Sequence, residues 1–391
     1  MNEQDGIVPR SDFPALEKYV YLNSASIALM PLPALRSMEE YERGILSAGT
    51  VSLDEAAEVL AYEGARQAAA RLIGVADEHI AILSSCTEAM AQIAWGIRPT
   101  GNVVSVDIEH PSVVYPWRRV CQDTGAELRL VERWNDPSAL CLDDIAARVD
   151  SATAAIVVSH GQYSNGRILD LRSLADLAHS VGAVCVIDAS QSVGAVPIDA
   201  AASGVDAMVA TSYKWLCGPF GAGFLYLAPS LFERFEPILV GWRSSYDMWT
   251  FDSRSLTYPP NMRRFEFCTT SYAAAFGLGQ SIEYLLSLSS DEVRRHGTAL
   301  GEHLIAGLDE LGAEVISPRS SSERSSIVTA RFPGRDGEKV AAELNRRGVI
   351  VSPRFAAIRF SPHYFNNLRD IDQALETLDA ILREVPTETL S

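Results

Sequence analysis

The sequence predicts an α/β protein with a large, mostly parallel sheet of seven strands flanked by helices, plus a smaller C-terminal α+β unit. Three observations predict it. Between residues 81 and 227, seven short apolar runs, each bounded by polar or turn residues, are interspersed with helix-forming stretches. Such runs read as strands buried on both faces of a parallel sheet. Two of them, 183–187 and 207–210, stop at Asp188 and at Thr211-Ser212-Tyr213-Lys214. In open α/β sheets the ligand lies at the carboxyl ends of the strands. Beyond residue 286 the pattern changes to strand-helix-strand-strand-helix, an independent small unit.

The 391 residues exceed what one small core organises. The division expected is an arm at 1–30, a large unit at 31–285 and a small unit at 286–391. Net charge is −17, with no basic run to offset it, which argues against nucleic acid and acidic membrane surfaces as partners. The six cysteines contain no C-x-x-C pair, so neither a disulfide framework nor a metal site is expected. Residues 1–10 carry no apolar signal core, and no apolar run reaches 18 residues. A cytoplasmic protein without a membrane contact is expected.

In chain order, residues 52–73 carry helix formers throughout. The strand 81–83 runs into Ser84-Ser85-Cys86-Thr87 and then a helical pattern from Glu88 to Ile97. A helix N-terminus with a hydroxyl is either a plain N-cap or an anion site. The strand 103–106 leads to Glu109-His110-Pro111-Ser112 with Pro116-Trp117 behind it. Strand 128–131, a short helix at 142–149 and strand 154–159 follow, the last ending in His160-Gly161-Gln162-Tyr163-Ser164-Asn165-Gly166. A helix at 171–181 returns the chain to the Asp188 strand. After Lys214, Gly218-Pro219-Phe220-Gly221-Ala222-Gly223 precedes a strand rather than opening a helix, so a dinucleotide loop is excluded. Residues 236–262 read as a loop and a candidate roof for the site. Helices at 272–286 and 291–311 lead to strand 327–332, helix 337–347, strands 349–351 and 358–361, and a closing helix at 370–382.

Lysine is rare: Lys18, Lys214 and Lys339 stand among 33 basic residues. Lys214 lies in an apolar, glycine-rich setting. A desolvated lysine loses its proton and attacks carbonyls, whereas arginine does not. Arg359 sits on a short apolar strand, where a charge needs a partner, and its fork suits a carboxylate.

The spacing Asp188-x-x-Gln191-x-x-Gly194, with Lys214 followed by Gly218-Pro219-x-Gly221, resembles the class V aminotransferase family of pyridoxal-phosphate enzymes. That family includes cysteine desulfurases, kynureninases and isopenicillin-N-epimerase-like proteins. The resemblance runs from Tyr21-Leu22-Asn23 to Arg359-Phe360-Ser361-Pro362-His363. It implies fold type I and pyridoxal 5'-phosphate joined to Lys214. It further implies Asp188 at the ring nitrogen, Gln191 near the ring hydroxyl and His110 stacked on the ring. Cys86, Thr87, Thr211 and Tyr213 would bind the phosphate, with Thr269 reaching the phosphate of a neighbouring subunit in a homodimer. Arg359 would hold the substrate carboxylate, and Asn23 either helps or serves as a turn residue. Relatives carry an Asn that bonds the ring hydroxyl where this chain has Gln162 and Tyr163.

A carboxylate about 4 Å from a pyridinium attracts it by roughly 4 kcal/mol at an effective dielectric near 20. That suffices to keep the ring nitrogen protonated and the ring an electron sink. The desulfurases of the family place a cysteine on a loop before the carboxylate-binding arginine. No cysteine follows Cys268 here, and the stretch taken to correspond, 317–324, has none. A persulfide-forming desulfurase is therefore not expected. The resemblance, to relatives that often cleave Cβ–S or Cβ–Cγ bonds, implies β-elimination from a cysteine-type amino acid. Transamination and epimerisation are the alternatives within the family, and an inactive regulator is the alternative outside it.

Overall fold

The computed structural model describes residues 6–136 and 140–384. The tips of the expected outer segments, 1–5 and 385–391, lie outside the described residues. The strands are β1 (Val20–Tyr21), β2 (Ile80–Leu83), β3 (Asn102–Val106), β4 (Glu127–Val131), β5 (Thr153–Ser159), β6 (Val184–Asp188), β7 (Ala207–Thr211), β8 (Gly223–Leu227), β9 (Glu314–Val315), β10 (Val328–Arg331), β11 (Val349–Ile350), β12 (Ser352–Arg354) and β13 (Ala357–Phe360). The helices are α1 (Leu32–Ala48), α2 (Glu55–Val59), α3 (Glu63–Ile73), α4 (Cys86–Ile97), α5 (Pro111–Thr124), α6 (Leu142–Ala146), α7 (Leu171–Ser180), α8 (Ala200–Ser203), α9 (Pro229–Phe232), α10 (Tyr272–Leu286), α11 (Ser290–Glu310), α12 (Gly337–Arg346) and α13 (Leu368–Glu384).

Strands β2 to β8 form the seven-stranded sheet, in the order β2-β8-β7-β6-β5-β3-β4. It is parallel from β7 to β4, and only β8 runs against its two neighbours. Every residue of β2, β3, β7 and β8 is buried. Continuous apolar strands have this burial because helices cover both faces. On one face Met90 and Ile93 of α4 pack with Val113 and Trp117 of α5; on the other, Leu174 of α7 packs with Leu278 and Ile282 of α10. The parallel register matches Ser159 to Asp188 and Asp188 to Val209, so the ends of β5, β6 and β7 share one rim.

The C-terminal sheet is antiparallel, in the order β12-β13-β10-β9. Leu300 and Leu304 of α11, Leu344 of α12 and Leu378 of α13 close over Val328, Ile358 and Phe360. Strand β11 leaves this sheet. It pairs in parallel with β1 of the N-terminal segment, Val20 opposite Val349. The amide of Ser361 then donates to Leu22 O (2.8 Å). These bonds lay residues 24–27 beside Arg359.

The continuous helix expected at 52–73 is broken. Helix α2 ends at Val59 and α3 starts at Glu63. Between them Tyr62 turns inward and is fully buried. Its hydroxyl meets Thr270 Oγ1 (2.6 Å), and the Arg243 guanidinium lies over its ring at 4.7 Å. Burying this ring and its cation outweighs the helix propensity of the local sequence. The helix expected at 142–149 is shorter, ending at Ala146.

Candidate active site

The site starts at the shared rim. Asp188 is the last residue of β6 and is buried. Its Oδ1 accepts the Ser190 amide (2.8 Å), and the carboxylate makes no ion pair among the described residues. Lys214 follows β7 on a turn closed by the Cys217 amide donating to Lys214 O (2.8 Å). Burial lowers the Lys214 pKa, with Arg359 and Arg354 pushing the same way and Asp188 and Cys86 opposing. A buried ammonium loses its hydration, so the neutral amine is favoured.

Next to this pair, α4 begins. Ser85 caps it by accepting the Glu88 amide (3.2 Å). The amides of Cys86 and Thr87 belong to the first turn, whose N–H groups have no intrahelical partner. The Thr87 hydroxyl donates to Ser112 Oγ (2.8 Å), and the Thr211 amide donates to Ser190 Oγ (3.2 Å). Burial and then Asp188 push the Cys86 thiol up to about 11, so it stays protonated.

A cavity of about 820 Å³ opens over Lys214, lined among others by Ser26, His110, Tyr163, Gln191, Arg354 and Arg359. A second cavity of about 440 Å³, lined by Leu72, Val193, Leu285 and Val293, is mostly apolar and contains none of these groups. His110 caps α5 and accepts the Ser112 amide on Nδ1 (3.2 Å), so its proton is on Nε2. Burial, then Lys214, lowers its pKa and keeps the ring neutral. Gln191 donates to Ala25 O (2.9 Å) and accepts the Trp215 indole (2.7 Å), which fixes its amide orientation and leaves one N–H free.

The opposite wall is the β12–β13 hairpin. Arg359 is fully buried. Its Nη1 donates to Tyr163 O (2.8 Å) and its Nη2 to Ser26 Oγ (2.6 Å), while Nε has no partner. Its pKa is pushed down to about 9, by burial first and then by Arg354. A buried guanidinium with only neutral acceptors is costly until an anion arrives.

The structure thus brings Lys214, Asp188, Cys86, His110, Gln191, Tyr213 and Arg359 together. Thr87 and Thr211 stand beside them at the start of α4 and the end of β7. Between the two expected candidates, Tyr163 lines the cavity and Gln162 does not; the Gln162 amide donates instead to buried Glu109 (2.8 Å). Asn23 does not line the cavity. Its Oδ1 accepts the Ser352 hydroxyl (2.8 Å), and Ser26, three residues on, faces Arg359 instead. Thr269 is exposed and outside the cavity wall. The loop at 236–262 supplies none of that wall; Arg243 ties it to Glu58 O and the Tyr272 hydroxyl. The stretch 317–324 supplies none of the cavity wall. Its Arg324 bridges to Arg167, and the segment before Arg359 is the two-residue turn Phe355-Ala356. Sequence reasoning missed Arg354, Ser26 and Glu109. Arg354 carried a signal, a second arginine five residues before Arg359.

A mostly parallel sheet with a lysine and an aspartate at one rim, a helix N-terminus beside them and a small antiparallel sheet closing the cavity is the architecture of fold type I pyridoxal-phosphate enzymes. Residues 20–353 match the aminotransferase class-V family, and the chain belongs to it. It is 31% identical over 368 residues to a probable cysteine desulfurase of Streptomyces coelicolor, covering 88% of this chain and 85% of that one. It is 26% identical over 396 residues to a probable cysteine desulfurase of Pyrococcus abyssi, covering 96% and 97%. The apo cysteine desulfurase of Thermococcus onnurineus NA1 superimposes with a TM-score of 0.85 at 26% identity, covering 96% and 98%. The chain is a pyridoxal-phosphate-dependent enzyme. Its residues fit that cofactor: a buried amine with a lowered pKa, a buried carboxylate without an ion pair, and helix-start amides with hydroxyls beside them.

Proposed function

We propose that the enzyme is a C–S lyase that eliminates a thiol from the β-carbon of a cysteine-type amino acid. The observation that carries this reading is the cavity joining Lys214 to Arg359, with no cysteine in its wall. The relatives named above are called cysteine desulfurases, which supports C–S cleavage here. Storing the sulfur on an enzyme thiol is another matter. The hairpin before Arg359 has no room for a cysteine loop, and Cys86 is held protonated.

Pyridoxal phosphate, when bound, supplies a ring that accepts the electron pair left at the substrate Cα. Arg359 holds the α-carboxylate through its fork and fixes which Cα bond faces Lys214. The neutral Lys214 amine takes the Cα proton. The C–S bond breaks with its electron pair on sulfur, and Lys214 returns the proton to the departing thiolate. Water then splits the remaining three-carbon imine into pyruvate and ammonia. With the cofactor bound, Asp188 would pair a positive ring nitrogen and His110, neutral, would cover the ring face. Tyr163 and the free N–H of Gln191 would serve the ring hydroxyl; Thr87, Thr211, Tyr213 and the α4 amides would serve the phosphate.

The same reading includes a homodimer in which Thr269 serves the neighbouring site. Exposed Leu46, Val51, Leu60 and Phe220, at 87%, 86%, 59% and 60%, support such a buried face. It also includes an arm, a large unit and a small unit, supported by the separate C-terminal core. A cytoplasmic location belongs to it too; among the described residues no helix is long and apolar enough to cross a membrane.

The test mixes cofactor-loaded enzyme with S-substituted cysteines and assays keto acid, ammonia and thiol. Pyruvate, ammonia and thiol accumulating together without an added keto acid is the expected result. Turnover that stops after one equivalent, and resumes only when a keto acid is added, would make the enzyme an aminotransferase.

A further inference from the structure

Arg354 is a second cation in the cavity wall that the chemistry above does not use. It ends β12, and Arg359 lies on β13. The register sets Ser352 opposite Arg359 and Arg354 opposite Ala357. Side chains alternate along a strand, so Ser352, Arg354 and Arg359 share one face of the hairpin. Arg354 and Arg359 are diagonal neighbours on that face, roughly 7–8 Å apart at the backbone. Both guanidiniums line the cavity.

Among the described residues neither has an acid. Arg354 donates to its neighbour Pro353 O (2.7 Å) and, at 3.4 Å, to the Ser26 hydroxyl that Arg359 also uses. Among the described residues it makes no ion pair. Glu338 touches the cavity mouth but is exposed and is not paired with it. Lys214 and His110 also lie within its field and bring no negative charge, and the Tyr163 phenol is kept protonated by burial. Two guanidiniums sharing one neutral hydroxyl repel each other, and an α-carboxylate gripped by Arg359 neutralises one of them.

The backbone that holds the pair is strained. The turn between β12 and β13 is Phe355-Ala356, with φ of +50° and +58°. Two-residue hairpin turns require this conformation and normally use Asn or Gly. Neither residue here is one, and side chains in the left-handed region persist where the surroundings hold them, often at ligand clamps. The Phe355 ring is packed edge-on against Trp134 with centroids 4.9 Å apart, which fixes the turn over the cavity mouth.

We propose that Arg354 is a specificity-determining residue that binds a second carboxylate at the far end of the substrate's β-substituent. The preferred substrates are then cysteine derivatives whose sulfur substituent ends in a carboxylate, including the disulfide of two cysteines. This rests on the C–S lyase reading for its reaction, though not for its binding.

Two measurements test it. The first compares kcat/KM of the holoenzyme for S-(2-carboxyethyl)cysteine and S-propylcysteine, which differ in the terminal charge. The wild type should favour the acid by about 10- to 100-fold, the range of a hydrogen bond to a charged group. Arg354→Gln should remove that preference and leave S-propylcysteine within about threefold; Arg354→Lys should restore part of it. No preference in the wild type, or an equal loss on both substrates in Arg354→Gln, overturns the proposal. The second measures by calorimetry the affinity of dicarboxylates from glutarate to suberate against the matching monocarboxylates. A dicarboxylate advantage in wild type that vanishes in Arg354→Gln supports the subsite whatever the reaction; its absence counts against it. If neither cysteine derivative yields pyruvate, the lyase reading fails and calorimetry alone decides the role of Arg354.

Discussion

The two walls of the cavity handle charge in opposite ways. On the large sheet, Asp188 ends β6 and Lys214 follows the neighbouring β7, and the field of the carboxylate opposes the burial that favours the neutral amine. On the small sheet, Arg354 and Arg359 carry the same charge and share one hydroxyl. The first wall sets an acid beside a base before anything binds. The second is left with positive charge that has no acid among the described residues. In the proposed reading that difference separates the tasks: the large sheet would supply proton chemistry, and the small sheet would select what is presented to it.

The comparison breaks most visibly at Lys214. Lys214→Ala should lower kcat by about 10⁴-fold or more, because it removes the proposed proton carrier and cofactor anchor. Activity near wild type in a stopped assay would deny the large sheet its role. Arg359→Gln should act differently, lowering kcat/KM by about 10²- to 10³-fold, since a bidentate charge-assisted pair is lost. Cofactor absorbance should survive, as the guanidinium belongs to the opposite wall. Loss of the bound cofactor in that variant would merge the two walls into one.

The pH dependence sharpens the contrast. Burial pushes Glu109, behind His110, up to about 7 against three donated hydrogen bonds from Ser159 and Gln162. The native state then holds a proton that the unfolded chain gives up near its ordinary value of 4.5. This stability is fully present below that value and is lost as pH rises to about 7, by about 3 kcal/mol. Denaturant titrations at pH 5 and pH 8 should differ less in Glu109→Gln than in wild type. The smallest effect is expected at the hairpin: Ala356→Gly should raise stability by about 1 kcal/mol by relieving the left-handed strain. A destabilised variant would mean that the Ala356 methyl is packed rather than strained.

Much of the large sheet was legible because its strands are apolar on both faces and end abruptly in polar residues. Asp188, Lys214 and the start of α4 follow from that pattern, and the class V resemblance added roles for His110, Gln191 and Arg359. Three particulars were not legible. Tyr62 interrupts a helix that propensity extends. Asn23 and Ser26 are both small polar residues in one loop, and only the pairing of β1 with β11 decides which faces Arg359. The loop at 236–262 resembled a lid and is anchored elsewhere.

By itself the sequence determined the fold class, the order of the strands along the chain and the residues that end them, since these depend on local runs of burial and breakers. Only the tertiary structure decided that Arg354 and Arg359 stand together without an acid. The docking of the N-terminal segment against the hairpin joins chain segments more than 300 residues apart, as in the bonds from Arg354 and Arg359 to Ser26. A local pattern carries no record of contacts at that separation.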